Sequence, residues 1–439
     1  MKGKSPNPKQ SHLYQVNLSD WLNPRHELCL LAEEIDWQEF ETEFASFYST
    51  KGCPAKPIRL MVGLLILKQI YNLGDETVMK EWVSNPYYQL FCGAVIFHWE
   101  FPCDPSDLVH FRHRIGVTGV EQILAVSILM HGEEILNEEV SIDTTVQVKN
   151  ITYPTDTKLA VRIIKQCRQI AQAEGVEQRQ SYKFVVKDLL KKANSKSKKQ
   201  VPEKKKARKK LKTIAGRVVR ELRKKLKSES LAKNEEKLGI YERVLAQKKD
   251  DKNKIYSLHE LAVACIAKGK EHKKYEFGSK VSFSVGQKSN VIKAAVSFSG
   301  NPNDNQTLEK TLEQQKKLTG VAPKKAYTDR GYKSRQIGET EIVTPSHGKG
   351  KKASEKAKLR KGFRRRAGIE PIIGHVKSDC GMERNYLKGE VGDQLNAILA
   401  ASAFNFRSWM RKAVEPMIFV WNYLQIVRLW GGQQPLEAK

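Results

Sequence analysis

Residues 139–147, EVSIDTTVQ in one-letter code, set an acid in the middle of a strand-forming run. Val140, Ile142, Thr144 and Val146 favour extended backbone, and side chains alternate faces along a strand, so Asp143 points away from Ile142 and Thr144. A carboxylate in an apolar run is costly unless a cation or a donor meets it. Asp143 is therefore a candidate metal ligand, and the fold has to bring partners to it.

Two later stretches supply them. Residues 324–332 read as a short strand with Asp329 at its tip and Gly331 in the turn beyond. Residues 363–377 hold Glu370 between two cations, Arg366 and Lys377. Phe363, Arg366, Glu370, Ile373 and Lys377 recur at the spacing of one helical face. Pro371 opposes a continuous helix, because proline is tolerated in a first turn but not in the interior. The main helix is expected to start near Glu370, with Arg366 in a preceding turn or kinked segment. One carboxylate between two cations suits a divalent ion beside a polyanion.

The charge balance points the same way. The 439 residues include 77 Lys and Arg against 49 Asp and Glu, a net +28, which calls for an anionic partner, nucleic acid or a lipid face. Nothing approaches the roughly 18 consecutive apolar residues of a membrane span. The Met-Lys-Gly-Lys start lacks the apolar segment of a secretory signal, so no membrane partner is expected. The 7 cysteines are odd in number and show no CxxC spacing, which argues against a zinc finger and for a reducing compartment.

Residues 1–130 read as an all-helical N-terminal domain for DNA binding or dimerisation, with a lead-in segment from His12. Pro105, Ser106 and Asp107 cap a segment presenting Arg112 and Arg114, which suits a helix-turn-helix type of module. Arginines that are merely solvated are the plainer alternative. Residues 159–251 are a basic helical insertion. Between 187 and 227 there are 19 Lys or Arg and 3 Asp or Glu, backed by an apolar stripe of Leu211, Ile214, Val218, Leu222 and Leu226. Two long helices folded back on each other, broken at 193–204, would present a cationic arm to a phosphate backbone, Lys209 and Lys212 among its contacts. A solvated hairpin is the alternative.

Strands are expected at 274–286, 291–298, 322–328 and 338–345, a helix at 303–318 and a basic loop at 348–362. With the strand at 139–147, this order describes an α/β, ribonuclease H-like catalytic core built from 131–158 and 252–390. Packing helices at 392–409 and 419–429, interrupted at Pro416, make up 391–439 and end in a loose tail at Lys439.

The chain resembles the DDE transposases of bacterial insertion sequences, in the superfamily whose last acid lies in a Tyr-x2-Arg-x3-Glu-x6-Lys signature. Phe363, Arg366, Glu370 and Lys377 match it, with Phe363 where tyrosine is usual. Ile142, Asp143, Thr144 and Thr145 are similar to the first acidic motif; Thr328, Asp329, Arg330, Gly331 and Tyr332 are similar to the second. The likeness extends to 54–74, 87–93 and 102–116 and is weakest across 160–250.

The resemblance implies DNA cleavage and strand transfer by a homodimer on double-stranded DNA with terminal inverted repeats, followed by joining to target DNA. It implies two Mg2+ ions, about 3.5 to 4 Å apart in such sites, with Mn2+ as a substitute. Asp143 would bridge them, and Asp329 and Glu370 would hold one each. Arg366 and Lys377 would clamp phosphates, with Arg330 and Lys280 as further DNA contacts. The setting would be the bacterial cytoplasm, at the nucleoid. A non-catalytic DNA-binding relative and a general metal-dependent nuclease are the alternatives.

Overall fold

The computed structural model describes residues 2–3, 16–49, 51–195, 200–248, 250–270, 273–345 and 352–431. The start of the lead-in at His12, residues 348–351 of the expected basic loop and the tail ending at Lys439 lie outside them. Two compact units emerge, one of residues 1–147, 280–298 and 302–439, the other of 148–279 and 299–301.

The first unit opens with α1 (Leu18–Trp21), α2 (Glu27–Glu34), α3 (Trp37–Glu43), α4 (Ile58–Ile70), α5 (Asp75–Ser84), α6 (Pro86–Phe91) and α7 (Pro105–Leu129). Local chemistry sets these boundaries. Asp36 caps α3 by accepting from the Gln38 and Glu39 amides, and Asp104 and Asp107 close a reciprocal capping box at the start of α7. Gly116 breaks the helical path of α7 with φ of 54°. In α4, a Cβ on Gly63 would lie 2.9 Å from Cys92 Sγ, so this helix-weakening glycine is what lets α4 pack there.

The sheet follows. It runs β2 (Ala264–Lys270), β3 (Lys273–Gly286), β1 (Val140–Lys149), β5 (Lys325–Tyr327), β7 (Thr340–Val343), β6 (Gln336–Ile337), with β4 (Ile292–Phe298) also on β3 and β8 (Arg384–Asn385) on β1. β1, β5 and β7 are parallel, while β3 pairs antiparallel with β4 through residues 280–285. In the first unit this is the expected ribonuclease H-like order. α12 (Asp304–Thr319) joins β4 to β5 and buries Leu308 and Leu312 with Val140, Ile142, Ala326 and Ile342.

Two expectations need correction here. The stretch read as a basic loop contains a helix, α13 (Ala353–Arg366), because Leu359 packs on Tyr327 and Val343 despite the surrounding charge. A Cβ on Gly362 would come within 2.3 Å of the Tyr327 ring, so glycine is what allows α13 this close to β5. The last helix, α15 (Gly389–Gly431), is assigned straight through Pro416. α15 packs on α2, α4, α7 and β4, and one apolar cluster joins Leu28 to Phe283 and Met410. α14 (Ile369–Ser378) precedes it, with Pro371 in its first turn.

The second unit contains α8 (Asp156–Ala173), α9 (Lys183–Ala193), α10 (Val201–Lys225) and α11 (Ser228–Ala246). The expected hairpin is a larger bundle: α10 buries Leu211, Ile214, Val218 and Leu222 against α8, α9 and α11. β2 was not foreseen; it pairs antiparallel with the first half of β3, Ala264 opposite Gly278.

Candidate active site

β1 and β5 carry two of the acids to one edge of the sheet. Val140 lies opposite Ala326 and Ser141 opposite Tyr327 in this parallel pair. Continuing the register by two residues sets Asp143 beside Asp329, on neighbouring strand tracks about 4.8 Å apart. The Thr328 amide still bonds to the Val343 carbonyl at 3.0 Å, so the ladder holds almost to Asp329. This edge is the carboxyl end of the parallel strands, where open α/β sheets bind their ligands.

Asp143 is the electrostatic centre. Its Oδ1 accepts the Thr144 amide at 2.8 Å and its Oδ2 accepts Arg366 Nη2 at 2.7 Å. Both side chains are mostly buried, at 18% and 17% exposure. Burial is the main cause that pushes the Asp143 pKa above the ordinary carboxylate value; Arg366 and the Thr144 amide oppose it, and the charges of Asp329 and Glu370 add to it. These two acids are therefore close enough to be felt at Asp143.

Asp329 accepts the Gly331 amide at 2.8 Å, the turn that the glycine signalled. Glu370 is exposed in the first turn of α14. Arg366 is the last residue of α13, not a turn residue, and a two-residue break at 367–368 separates it from α14. Both residues of the break keep right-handed helical φ, −58° at Ala367 and −65° at Gly368. Lys377 is half-buried near the end of α14, and Arg330 is exposed next to Asp329.

A fourth carboxylate was missed. Asp304, the first residue of α12, accepts the Thr144 hydroxyl at 2.9 Å and Lys280 Nζ at 2.9 Å. Lys280 also donates to the Pro302 carbonyl at 2.7 Å, which anchors the start of α12 to β3. Burial, then the charges of Asp304, Asp143 and Asp329, drive the Tyr332 phenol well above its ordinary pKa. In the sequence, Asp304 looks like one more capping acid after Asn303, and only the alternation of Thr144 opposite Asp143 hints at it.

Arg112 is corrected. Its guanidinium is 4% exposed and pairs with both Asp75 oxygens at 2.8 and 2.6 Å, so it ties α7 to α5 and offers nothing to DNA. Burial disfavours the Asp75 charge, yet Arg112 and Lys68 outweigh it and hold the pKa at about 2. Arg114 stays exposed, its guanidinium 4.7 Å above the Tyr48 ring. Lys209 and Lys212 are exposed on α10 in the second unit.

Among the described residues, no three or more His, Cys, Asp and Glu side chains are arranged to hold a metal ion as they stand. The donor set still suits one. Hard carboxylate oxygens gather around Asp143 at a cost in mutual repulsion, Arg366 is the cation that offsets it, and the buried Arg366 Nε and Tyr332 hydroxyl have no hydrogen-bond partner among the described residues.

Two family models and one relative match this chain. Residues 16–114 match the family model of a transposase domain (DUF772), and residues 246–406 match that of a transposase DDE domain. A Rhizobium meliloti protein described as "Uncharacterized protein ORF8 in nfe locus" is 40% identical over 193 residues, 43% of this chain and 93% of that protein. No solved structure matches. No described helix is long and apolar enough to cross a membrane. Asp329, Arg366, Glu370 and Lys377 all fall inside the second match, on the elements that surround Asp143. The chain belongs to the DDE transposases of bacterial insertion sequences, enzymes that act on DNA and use divalent metal ions.

Proposed function

We propose that this transposase cuts the ends of an insertion element with water and joins the freed 3′-hydroxyls to target DNA, with Asp143, Asp329 and Glu370 as its acidic centre. The observation that supports the reading is the parallel register of Ser141 with Tyr327, which extended by two residues runs from Asp143 to Asp329, together with the Arg366 guanidinium on Asp143. A pair of Mg2+ ions bound by these acids, or Mn2+ in their place, would supply Lewis-acid stabilisation of the attacking and leaving oxygens.

The chain's own residues do the rest. The neighbouring negative charge biases Asp143, Asp329 and Glu370 toward taking up a cation. A cation held by Asp143 would leave Arg366 free to bind a scissile-end phosphate, where a planar fork can meet two oxygens. Lys377, two turns beyond Glu370 on α14, would meet a neighbouring phosphate, and Arg330 would meet the strand at Asp329. Two protomers would hold the two inverted-repeat ends.

Hydrolysis adds water across a phosphodiester and leaves a 3′-hydroxyl and a 5′-phosphate. In the joining step the 3′-oxygen attacks a target phosphodiester and the target 3′-oxygen leaves with the proton. One phosphodiester forms as one breaks, so no ATP is needed. Purified protein with Mg2+, given the DNA that flanks its gene and a target plasmid, is expected to nick one defined phosphate per end and form a covalent joint. A pre-cut end lacking its terminal 3′-hydroxyl should bind and fail to join. Scattered nicks without any joint would make the protein a general nuclease.

A further inference from the structure

One helix of the second unit segregates its charges. At about 100° per residue, Lys206, Lys209, Lys210, Arg217, Arg220 and Lys224 of α10 fall within an arc of about 100°, opposite the buried Leu211 and Val218. All six are exposed, and the row spans about 27 Å at 1.5 Å per residue.

Two other basic side chains of that helix are already paired. Arg223 is held by Glu235 and by Glu242, each at 2.7 Å, and Lys225 by Glu221 at 2.9 Å. The six in the row make no salt bridge among the described residues. Their charge is therefore available, whereas that of Arg223 is already taken up.

The C-terminal half of the row opens onto a cleft of about 850 Å³ whose lining includes Arg179, Tyr182, Arg217, Arg220 and Lys224 and one acid, Glu221, which is taken up by the Arg179 amide and Lys225. Tyr182 is mostly buried with φ of 54°, a left-handed backbone that a bulky residue adopts only where its surroundings impose it. Its hydroxyl accepts from Arg217 Nη1 at 3.3 Å, so it steadies one cation of the cleft.

We propose that this row and cleft grip the backbone phosphates of duplex DNA without reading its sequence. A lipid surface is disfavoured because the apolar face of α10 is buried in its own bundle, leaving nothing to insert. Single strands are disfavoured because the row carries no aromatic side chain on which a base could stack. The proposal rests on the chain acting on DNA, and it stands or falls independently of the acidic centre.

Full-length protein carrying Arg217→Ala, Arg220→Ala and Lys224→Ala together is compared with wild type on an element-end duplex and on an unrelated duplex of equal length. Three lost phosphate contacts should flatten the slope of log K against log salt by about 2.7. The loss should be equal on both duplexes, while Arg223→Ala leaves the slope near wild type. Arg217→Lys with Arg220→Lys should keep the wild-type slope. An unchanged slope, a loss confined to the element end, an equal loss in Arg223→Ala, or duplex RNA bound as tightly as DNA would each overturn the proposal. A protein that passes this test yet never nicks DNA would refute the catalytic reading alone.

Discussion

Asp143→Asn is expected to slow nicking of element-end DNA by about 10³-fold or more, equivalent to about 4 kcal/mol of transition-state stabilisation, with little change in DNA binding. The substitution keeps the side chain's shape and one oxygen for the Thr144 amide or for Arg366, but removes the charge that the other two acids surround. Single-turnover cleavage beside a binding titration on the same preparation separates the two effects. Wild-type cleavage by the variant would sink the assignment.

The same residue makes a signed prediction for stability. An acid whose pKa is raised in the fold binds its proton more readily folded than unfolded, so its contribution is greatest at low pH and is lost as pH rises through the window above 3.8. Arg366 offsets part of that loss. Asp143→Asn should therefore show a shallower decline in stability across that window.

Lys293→Ala carries the largest expected effect on folding, a loss of about 3 to 5 kcal/mol. Lys293 is fully buried on β4; its Nζ donates to the Ile135 carbonyl and pairs with Glu138 at 3.3 Å. Glu138, two residues before β1, also accepts from the Ser289 hydroxyl and from the amides of Lys288 and Ser289. This knot fixes the strand that carries Asp143 to the β3–β4 turn, and removing the lysine leaves a buried carboxylate without its counter-charge.

Burial disfavours the Glu138 charge, but Ser289, Lys293 and the two amides outweigh it and hold its pKa below the ordinary value. A depressed acid contributes stability that is fully present above its unfolded pKa, near 4.5, and is lost as pH falls through the folded value. Urea melts of wild type and Lys293→Ala at neutral pH and near pH 4 should show the gap narrowing in acid. An equal gap at both pH values would mean that the lysine stabilises by packing alone.

The acids proposed for the site stand out in the sequence because each breaks a local rule. Asp143 sits in a strand-forming run, Asp329 precedes a turn glycine, and Pro371 marks the break that separates Arg366 from Glu370. Features that depend on distant partners were not. Arg112 looks like any basic helix residue until Asp75, thirty-seven positions away, takes its guanidinium. α13 hides in a charge run because its packing rests on Leu359, Gly362 and Phe363 meeting β5 and β7. Asp304 reads as a cap, since its contacts with Thr144 and Lys280 join elements that no periodicity connects. β2 stayed unread because Ala264, Ala267 and Gly269 dilute any strand signal.

The proposed chemistry requires Asp143, Asp329 and Glu370 to hold divalent cations at one centre once DNA is bound. A crystal of the protein with an element-end duplex and Mn2+, measured at the manganese absorption edge, tests it most directly. Anomalous density among the three carboxylates, with Arg366 turned from Asp143 to a DNA phosphate, is the predicted result. Density elsewhere, or none there at saturating Mn2+ with Arg366 still closed on Asp143, would contradict it.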